Sequence, residues 1–246
     1  MGVVAVIPAR YGSARLPGKP LVNIGGKPLV RWVWERACRA KTVGRVIVAT
    51  DDERIVQAVR DFGGEVVLTS LGHPSGTDRV AEVAEGLSTE VVVNVQGDEP
   101  FLDPRVIDQV VGRISEGDTP MATVARRIDK LERIWDSSVV KVVVDRRGYA
   151  LYFSRSPVPF LRDLPREAWG KGGEFLEHIG LYAYTREFLL TLSRLTPTPL
   201  ELAEKLEQLR ALEHGYSIAV VETEYKSFGV DTPEDLKEAR RRVRMS

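Results

Sequence analysis

The first 95 residues alternate short apolar segments with amphipathic ones, and this alternation restricts the fold more than any other feature. Val3–Ile7 is a continuous apolar run, which is typical of a strand buried on both faces. Similar runs at Arg45–Ala49, Glu65–Thr69 and Glu90–Val95 are separated by helical patterns. Strands that alternate with helices predict an α/β fold, with a Rossmann-like, mostly parallel sheet and helices on both of its faces.

The pattern changes after Asp103, where strand-like segments follow one another more closely. A turn at residues 145–148 joins two of them as a hairpin. We therefore expect a single domain over residues 1–246, in which residues 120–190 form a smaller mixed or antiparallel extension of the sheet. The predicted strands of this region are Met121–Arg127, Lys141–Val144, Tyr149–Ser154 and His178–Tyr184.

The segment Leu200–His214 predicts one helix that ends at Gly215. Its leucines form an apolar stripe, so the spacing alone places Glu207 and Gln208 on a solvated face. The stripe consists of Leu202, Leu206, Leu209 and Leu212.

The overall composition excludes several classes of protein. The chain has 35 basic and 35 acidic residues, so it lacks the basic excess of proteins that coat nucleic acid. Cys38 is the only cysteine, and the three histidines show no metal-binding spacing, so any metal should be oxygen-bound, such as Mg²⁺. No apolar run approaches the roughly 18 residues of a membrane span, and no signal peptide is evident, so we expect a cytoplasmic protein with no membrane partner.

The loop after the first strand is the strongest candidate for a ligand site. It runs from Pro8 to Pro20 and carries Arg10, Arg15 and Lys19 among glycines. Open α/β sheets bind ligands at the carboxyl ends of their strands, and glycines let backbone N–H groups approach an anion. The first 45 residues also hold nine Lys or Arg and only one acid. We therefore expect this loop to bind a polyphosphate, although its spacing differs from that of a Walker A loop.

Candidate metal-binding acids stand at two places. One pair directly follows a predicted strand, and a further acid directly precedes the last helix. Asp98 and Glu99 come after the apolar strand, where they could hold Mg²⁺ against phosphates gathered by the first loop. The last helix begins with Thr232 as N-cap and Asp235 in a capping box, so the cap does not need Asp231. Spacing alone leaves open whether Asp231 binds a metal or only faces the helix dipole.

Two further polar segments follow strands in the first half. Asp51 and Asp52 are explained by helix capping. The Gly/Ser-rich loop that contains Ser75 and Gly76 could contact a nucleoside through its backbone, with Arg79 facing the same cleft.

The middle region adds polar residues whose spacing is less specific. His178 and Tyr182 share one face of a predicted strand, and Arg155 follows another strand.

These motifs resemble, in their order along the chain, those of the 3-deoxy-manno-octulosonate (Kdo) cytidylyltransferases, also called CMP-Kdo synthetases. The resemblance covers almost the whole chain, and the ordered set is far more specific than any one motif. The matching segments are Ile7–Leu21, Val48–Asp52, Ser75–Arg79, Asn94–Pro100, Lys141–Val143, Ala150–Pro157, His178–Tyr182, Leu206–Arg210 and Gly229–Asp235.

The resemblance implies a nucleotidyltransferase-type fold and a Mg²⁺-dependent reaction of CTP with Kdo, which gives CMP-Kdo and pyrophosphate for lipopolysaccharide biosynthesis. It also implies homodimers that form through the middle region. By the resemblance Lys19, Asp98 and Asp231 are catalytic, and the two aspartates hold the metal. The residues that it assigns to CTP are Arg10, Ser13, Arg15, Lys19, Ser75, Gly76 and Arg79. Those that it assigns to the sugar are Gln96, Arg155, His178, Tyr182, Glu207 and Gln208.

Three other functions stay open. A cytidylyltransferase for another acidic sugar, such as a sialic acid, would share the basic loop but usually has Lys-Asn in place of Lys19-Pro20. A nucleotide-sugar glycosyltransferase needs an Asp-x-Asp centre, which Gln96-Gly97-Asp98 is not. A non-catalytic nucleotide-binding protein is the third alternative. It is disfavoured because every position that resembles a catalytic one holds a residue able to perform that role.

Overall fold

The computed structural model describes residues 2–13, 15–170 and 175–245, so Ala14 of the first loop lies outside the described residues. The chain divides into two compact units. The first consists of Met1–Asp108, Thr185–Ser193 and Ser227–Ser246, and the second of Gln109–Tyr184 and Arg194–Lys226. The second unit takes in most of the 120–190 segment and adds residues 194–226. The single domain and its extension stay predictions.

The first unit is built on a parallel sheet with the strand order β5-β4-β1-β6. Val6, Ile7, Val48 and Val93 are fully buried, which confirms strands covered on both faces at three of the four apolar runs. The run at residues 65–69 forms an edge strand that is only partly covered, with Leu68 53% exposed. The strands are β1 (Val3–Ala9), β4 (Arg45–Thr50), β5 (Glu65–Leu68) and β6 (Val91–Asn94), with a short hairpin of β2 (Asn23–Ile24) and β3 (Lys27–Pro28). The helices are α1 (Leu29–Ala37), α2 (Glu53–Asp61), α3 (Gly76–Glu85), α6 (Arg186–Leu192) and α9 (Pro233–Met245).

A separate apolar cluster in this unit ties the C-terminal helix to the N-terminal segment. Ile24 and Leu29, at the β2–β3 hairpin and the start of α1, pack with Val230, Leu236 and Ala239. All five side chains are buried, and the burial of their apolar surface stabilises this packing. The cluster fixes where the turn before α9 lies, and therefore where Asp231 lies.

The second unit contains a mixed sheet. β11 pairs in parallel with β7, and β10 lies antiparallel to both β7 and β8. β8 and β9 form the expected antiparallel hairpin. The strands are β7 (Met121–Arg127), β8 (Lys141–Val144), β9 (Ala150–Ser154), β10 (Leu176–Thr185) and β11 (Ile218–Glu222). The predicted fold class, a mostly parallel α/β sheet combined with antiparallel strands, is confirmed.

The single helix predicted over Leu200–His214 is wrong. The segment forms two helices, α7 (Pro199–Glu204) and α8 (Gln208–Glu213), because Lys205 adopts a left-handed conformation with φ of 55°. Leu202 of the expected apolar stripe is 53% exposed, whereas Gln208 is only 5% exposed. The break changes which residues of the second helix face the core. Gln208, which the spacing predicted to be solvated, is therefore buried.

Two helices have no counterpart among the predicted elements. They are α4 (Pro104–Ser115), which contains the boundary between the two units, and α5 (Leu131–Trp135). Within the described ranges, every helix is too short or too polar to cross a membrane.

Candidate active site

A cavity of about 480 Å³ opens at the carboxyl ends of β1 and β6 in the first unit. Its position agrees with the general rule that open α/β sheets bind ligands beyond these strand ends. The predicted polyphosphate loop forms one wall. The residues that line the cavity are Pro8, Ala9, Arg10, Gly12, Ser13, Arg15, Lys19, Pro20, Gly76, Arg79, Gln96, Gly97, Asp98 and Asp231.

Lys19 joins the two predicted metal ligands. Its Nζ donates to Oδ2 of Asp98 and to Oδ1 of Asp231, each at 2.8 Å. Burial alone would lower the pKa of Lys19, but the carboxylates of Asp98 and Asp231 outweigh it and hold that pKa above its ordinary value. The ammonium of Lys19 therefore stays charged between the two carboxylates and offsets the repulsion between them.

Asp231 reaches this cluster because the turn before α9 is fixed on both sides. The N–H of Val230 donates to the backbone oxygen of Asp98 at 2.9 Å. Asp235 accepts from the Thr232 backbone at 2.9 Å and returns its own N–H to the Thr232 hydroxyl, which confirms the capping box. The carboxylate of Asp231 is thus free of the cap, and Arg15 also donates to it at 3.0 Å.

Asp98 and Glu99 point to different partners. Asp98 lines the cavity, whereas Glu99 is 8% exposed and accepts from the hydroxyl of Ser227 at 2.6 Å. Gly97 lets its backbone lie close to Pro8 at the end of β1, because a Cβ there would be 2.7 Å from the backbone oxygen of Pro8. Of the two acids offered as metal ligands, only Asp98 faces the basic loop.

Arg79 is fully buried beside the cavity that it lines. Its Nη2 donates to Asp51 at 2.6 Å, so Asp51 holds this arginine, and Asp52 alone caps α2. Pairing makes the burial of a guanidinium tolerable. Gly76 lines the cavity. Ser75 does not, and instead caps α3 through the N–H of Asp78 at 3.1 Å.

The second unit brings His178 and Tyr182 together on β10, with ring centroids 5.4 Å apart. The Thr123 hydroxyl donates to the backbone oxygen of Leu181 at 2.9 Å and lies 2.9 Å from Nε2 of His178. A Thr123 hydroxyl that donates to Leu181 accepts from Nε2 of His178, because it has only one hydrogen to donate. Burial lowers the pKa of His178 to about 3 and raises that of Tyr182, so both rings are neutral near pH 7.

The neutral His178 makes the free energy of unfolding sensitive to acid. Its pKa is depressed in the folded chain, so below about pH 6.5 the unfolded state binds a proton that the folded state does not. The free energy of unfolding should then fall between pH 7 and pH 5, by up to ~1.4 kcal/mol per pH unit from this group. Urea unfolding at several pH values should show a shallower fall in His178→Gln. His214→Gln, which removes an exposed histidine, is the control, and equal slopes in wild type and His178→Gln would contradict the assignment.

Glu207 and Gln208 lie at the break between α7 and α8. The charge of Glu207 contributes to the raised pKa of Tyr182, which places this carboxylate near the phenol. Gln208 is buried, and its Nε2 is without a hydrogen-bond partner in the described part of the chain. A buried amide donor without a partner is costly and rare, so Nε2 of Gln208 is a candidate for hydrogen bonding to a ligand.

Arg155 stabilises the end of α7. Its guanidinium donates to the backbone oxygens of Glu204 at 2.6 Å, Ser137 at 3.0 Å and Lys205 at 3.4 Å. These carbonyls take three of its five N–H donors. Sequence reasoning missed this role, because the spacing predicted an unbroken helix with no carbonyls to cap.

The chain is similar to several known proteins. A family model described as "Cytidylyltransferase" matches residues 4–221. The 3-deoxy-manno-octulosonate cytidylyltransferase of Geobacter sulfurreducens is 53% identical over 243 residues, which are 96% of this chain and 97% of that protein. The enzyme of the same name from Trichlorobacter lovleyi is 51% identical over 99% of both chains.

A solved structure of CMP:2-keto-3-deoxy-manno-octonic acid synthetase complexed with CTP is also similar, with a TM-score of 0.93 and 42% identity over 100% of this chain and 99% of that one. The 4-diphosphocytidyl-2C-methyl-D-erythritol synthase of Anaerococcus prevotii has a TM-score of 0.63 at 15% identity over 99% of this chain and 98% of that one, so it shows likeness of fold alone. Identity above 50% over nearly the full length, together with the family model, decides the assignment: the chain belongs to the 3-deoxy-manno-octulosonate cytidylyltransferase family.

Proposed function

We propose that this chain transfers the cytidylyl group of CTP to Kdo and releases pyrophosphate. The observation that carries the proposal is the cluster of Lys19, Asp98 and Asp231 at the cavity wall, with Arg10 and Arg15 on the same wall. Cations there suit a triphosphate, and a pair of carboxylates suits a metal that accompanies it. The relatives of more than 50% identity, which carry the name of this activity, support the same reaction.

Asp98 and Asp231 fit a magnesium ion as the metal. Both offer carboxylate oxygens, each 2.8 Å from the same nitrogen, so the two groups converge on one point. Mg²⁺ is commonly bound by one or two carboxylates together with substrate phosphates and water. Within the described ranges no group of three or more His, Cys, Asp or Glu comes together as a metal site, which agrees with a metal that relies on the substrate for further ligands. Such an ion supplies charge neutralisation at the phosphates and polarisation of the reacting oxygen.

The other residues of the cavity wall would position the triphosphate and neutralise its charge. In the proposed reaction the anomeric hydroxyl of the sugar attacks the α-phosphorus in line, and the bond to the leaving pyrophosphate breaks. Arg10, Arg15 and Lys19 would stabilise the negative charge that develops on that pyrophosphate. Ser13, the Ser75–Gly76 backbone and Arg79 would hold the rest of the nucleotide.

The residues that we propose for the sugar are Gln96, which belongs to the first unit, and Arg155, His178, Tyr182, Glu207 and Gln208, which belong to the second. The unpartnered Nε2 of Gln208 and the carboxylate of Glu207 could bind sugar hydroxyls, which are both donors and acceptors. His178 and Tyr182 would add neutral polar groups, and the charge of Glu207 acts on the phenol of Tyr182. The guanidinium of Arg155 has donors beyond those used at α7, and its planar fork matches a carboxylate.

We further propose that the chain acts as a homodimer in the cytoplasm. Apolar side chains of the middle region support the dimer, since Phe160 is 70% exposed and Leu164 is 48% exposed. No nucleic-acid or membrane partner is proposed.

The experiment that tests the proposed function is pyrophosphate release with CTP and Mg²⁺, in the presence of Kdo, N-acetylneuraminate or no sugar. We expect release with Kdo only. Release with N-acetylneuraminate only would keep the CTP site and overturn the assignments to Kdo. If neither sugar supports release while CTP still binds, a non-catalytic nucleotide-binding role would replace the proposal.

A further inference from the structure

Tyr11, in the loop that lines the proposed triphosphate site, lies against a charged group on one side and a glycine on the other. The guanidinium carbon of Arg54 lies 3.3 Å from the centroid of the Tyr11 ring. Gly18 also lies against the ring, because a Cβ on Gly18 would be 3.2 Å from it. Neither Tyr11 nor Arg54 lines the cavity.

Arg54 is itself held by the start of α2. Its Nε and Nη2 donate to the two carboxylate oxygens of Asp52 at 2.9 and 2.6 Å. Asp52 is also the N-cap of that helix and accepts from the backbone N–H of Arg54 at 2.9 Å. A bidentate guanidinium–carboxylate pair restricts rotation of both side chains, so Arg54 presents a fixed surface to the tyrosine ring.

The backbone closes the loop at the same place. The N–H of Gly18 donates to the backbone oxygen of Tyr11 at 3.1 Å, and Gly18 has a φ of 67°, which favours glycine. Residues between these two include Ser13 and Arg15, and Lys19 follows directly. The contact between Tyr11 and Gly18 therefore fixes both ends of the segment that carries Ser13 and Arg15, and the point from which the chain continues to Lys19.

We infer that Tyr11 and Arg54 are positioning residues for the triphosphate, which they serve by ordering the described residues of this loop, 11–13 and 15–18, before the nucleotide binds. The inference rests on the proposed binding of CTP by this loop. A loop that is ordered in advance does not lose its conformational freedom on binding, so more of the contact energy is kept as affinity. The gain concerns the β- and γ-phosphates, since the loop presents its cations to them, and not the nucleoside.

Tyr11→Ala, Tyr11→Phe and Arg54→Ala test this role. Binding of CTP and CMP is measured by calorimetry without sugar, together with the melting temperature. We expect Tyr11→Ala to weaken CTP about tenfold through lost preorganisation. Arg54→Ala should weaken it about threefold, the size of an exposed cation–π contact. CMP binding and the melting temperature should change little, and Tyr11→Phe, which keeps the ring, should bind CTP as wild type does.

The chain offers a matched control in Arg105→Ala. Arg105, in the first turn of α4, pairs with Asp103 through its backbone N–H, Nε and Nη2, the same three groups that join Arg54 to Asp52. It is not stacked on a ring in the part of the chain that the structure describes. Arg105→Ala should therefore leave CTP affinity unchanged. Equal losses of CTP and CMP affinity in Tyr11→Ala, or a loss that Arg105→Ala reproduces, would overturn the inference.

Hydrogen exchange separates this inference from the proposed function. In the ligand-free protein, the amide of Gly18 should exchange faster in Tyr11→Ala and Arg54→Ala than in wild type, because its acceptor is the Tyr11 carbonyl. Unchanged exchange there would overturn the ordering role whatever the nucleotide does. Faster exchange in a protein whose wild type binds no CTP would keep the ordering role, remove its connection with the triphosphate, and contradict the proposed function.

Discussion

Replacement of Lys19 by methionine should strongly reduce cytidylyl transfer and, at the same time, tighten the binding of divalent metal to the nucleotide-free protein. In the structure the Lys19 ammonium occupies the point on which Asp98 and Asp231 converge, at 2.8 Å from each. A metal that enters this site must displace it. Removal of the ammonium leaves two neighbouring carboxylates without that cation, and a divalent ion relieves their repulsion.

The expected gain in metal affinity is about tenfold, or ~1.4 kcal/mol, a modest share of the strength of two charge-assisted hydrogen bonds. Titration of Mn²⁺ followed by electron paramagnetic resonance, with Mg²⁺ competition, measures it without turnover. Transfer should fall by about 10²–10³-fold, as when one preorganised charge at a developing anion is lost.

Lys27→Met is the control for the loss of a lysine, because Lys27 pairs with Glu35 at 2.8 Å and does not line the cavity. It should change neither metal affinity nor transfer. If Lys19→Met binds Mn²⁺ no more tightly than wild type, Lys19 does not compete with the metal for the two carboxylates.

Asp98→Asn should reduce transfer by at least about 10³-fold and leave the fold intact, because it removes a proposed metal ligand and a charge while keeping the shape of the side chain. The side chain lines the cavity and is 25% exposed, and asparagine fills the same volume, so the packing around it is kept. Pyrophosphate release at saturating CTP and Kdo measures transfer, and the melting temperature measures the fold. Mn²⁺ affinity should fall together with activity.

The neighbouring acid provides the contrast. Glu99 is buried and accepts from the Ser227 hydroxyl at 2.6 Å, away from the cavity lining. Glu99→Gln should lower the melting temperature and leave transfer by the folded protein close to that of wild type. Normal activity of Asp98→Asn at limiting Mg²⁺ would contradict the role of Asp98 as a metal ligand.

Much of the candidate site could be predicted because its parts are local. The sequence predicted that Thr232 and Asp235 cap the last helix without Asp231, and the structure shows this capping box. The basic loop after β1 and the acid after β6 stand at strand ends, and parallel strands bring such ends to one edge. The contact of Lys19 with both aspartates was not predicted, because local patterns do not report contacts between residues far apart in sequence.

The errors have a common origin. The prediction of one helix over residues 200–214 failed because Lys205 is left-handed and interrupts the helix, where the guanidinium of Arg155 donates to the backbone oxygens of Glu204 and Lys205. Capping explained Asp52 but not Asp51, which holds the buried Arg79. In each case a partner distant in sequence overrode the local preference.

The sequence by itself determined the parallel sheet, the strand-end loop, the helix caps and the chemical types of the candidate site, since periodicity and capping depend on neighbours within a few residues. Only the tertiary structure decided which charges meet. Lys19 is 79 residues from Asp98 and 212 from Asp231, and the three converge because Val230 and its apolar cluster fix the turn before α9 beside β6. Burial of apolar surface is non-directional, so the sequence shows that such a cluster will form but not which distant carboxylate it will deliver.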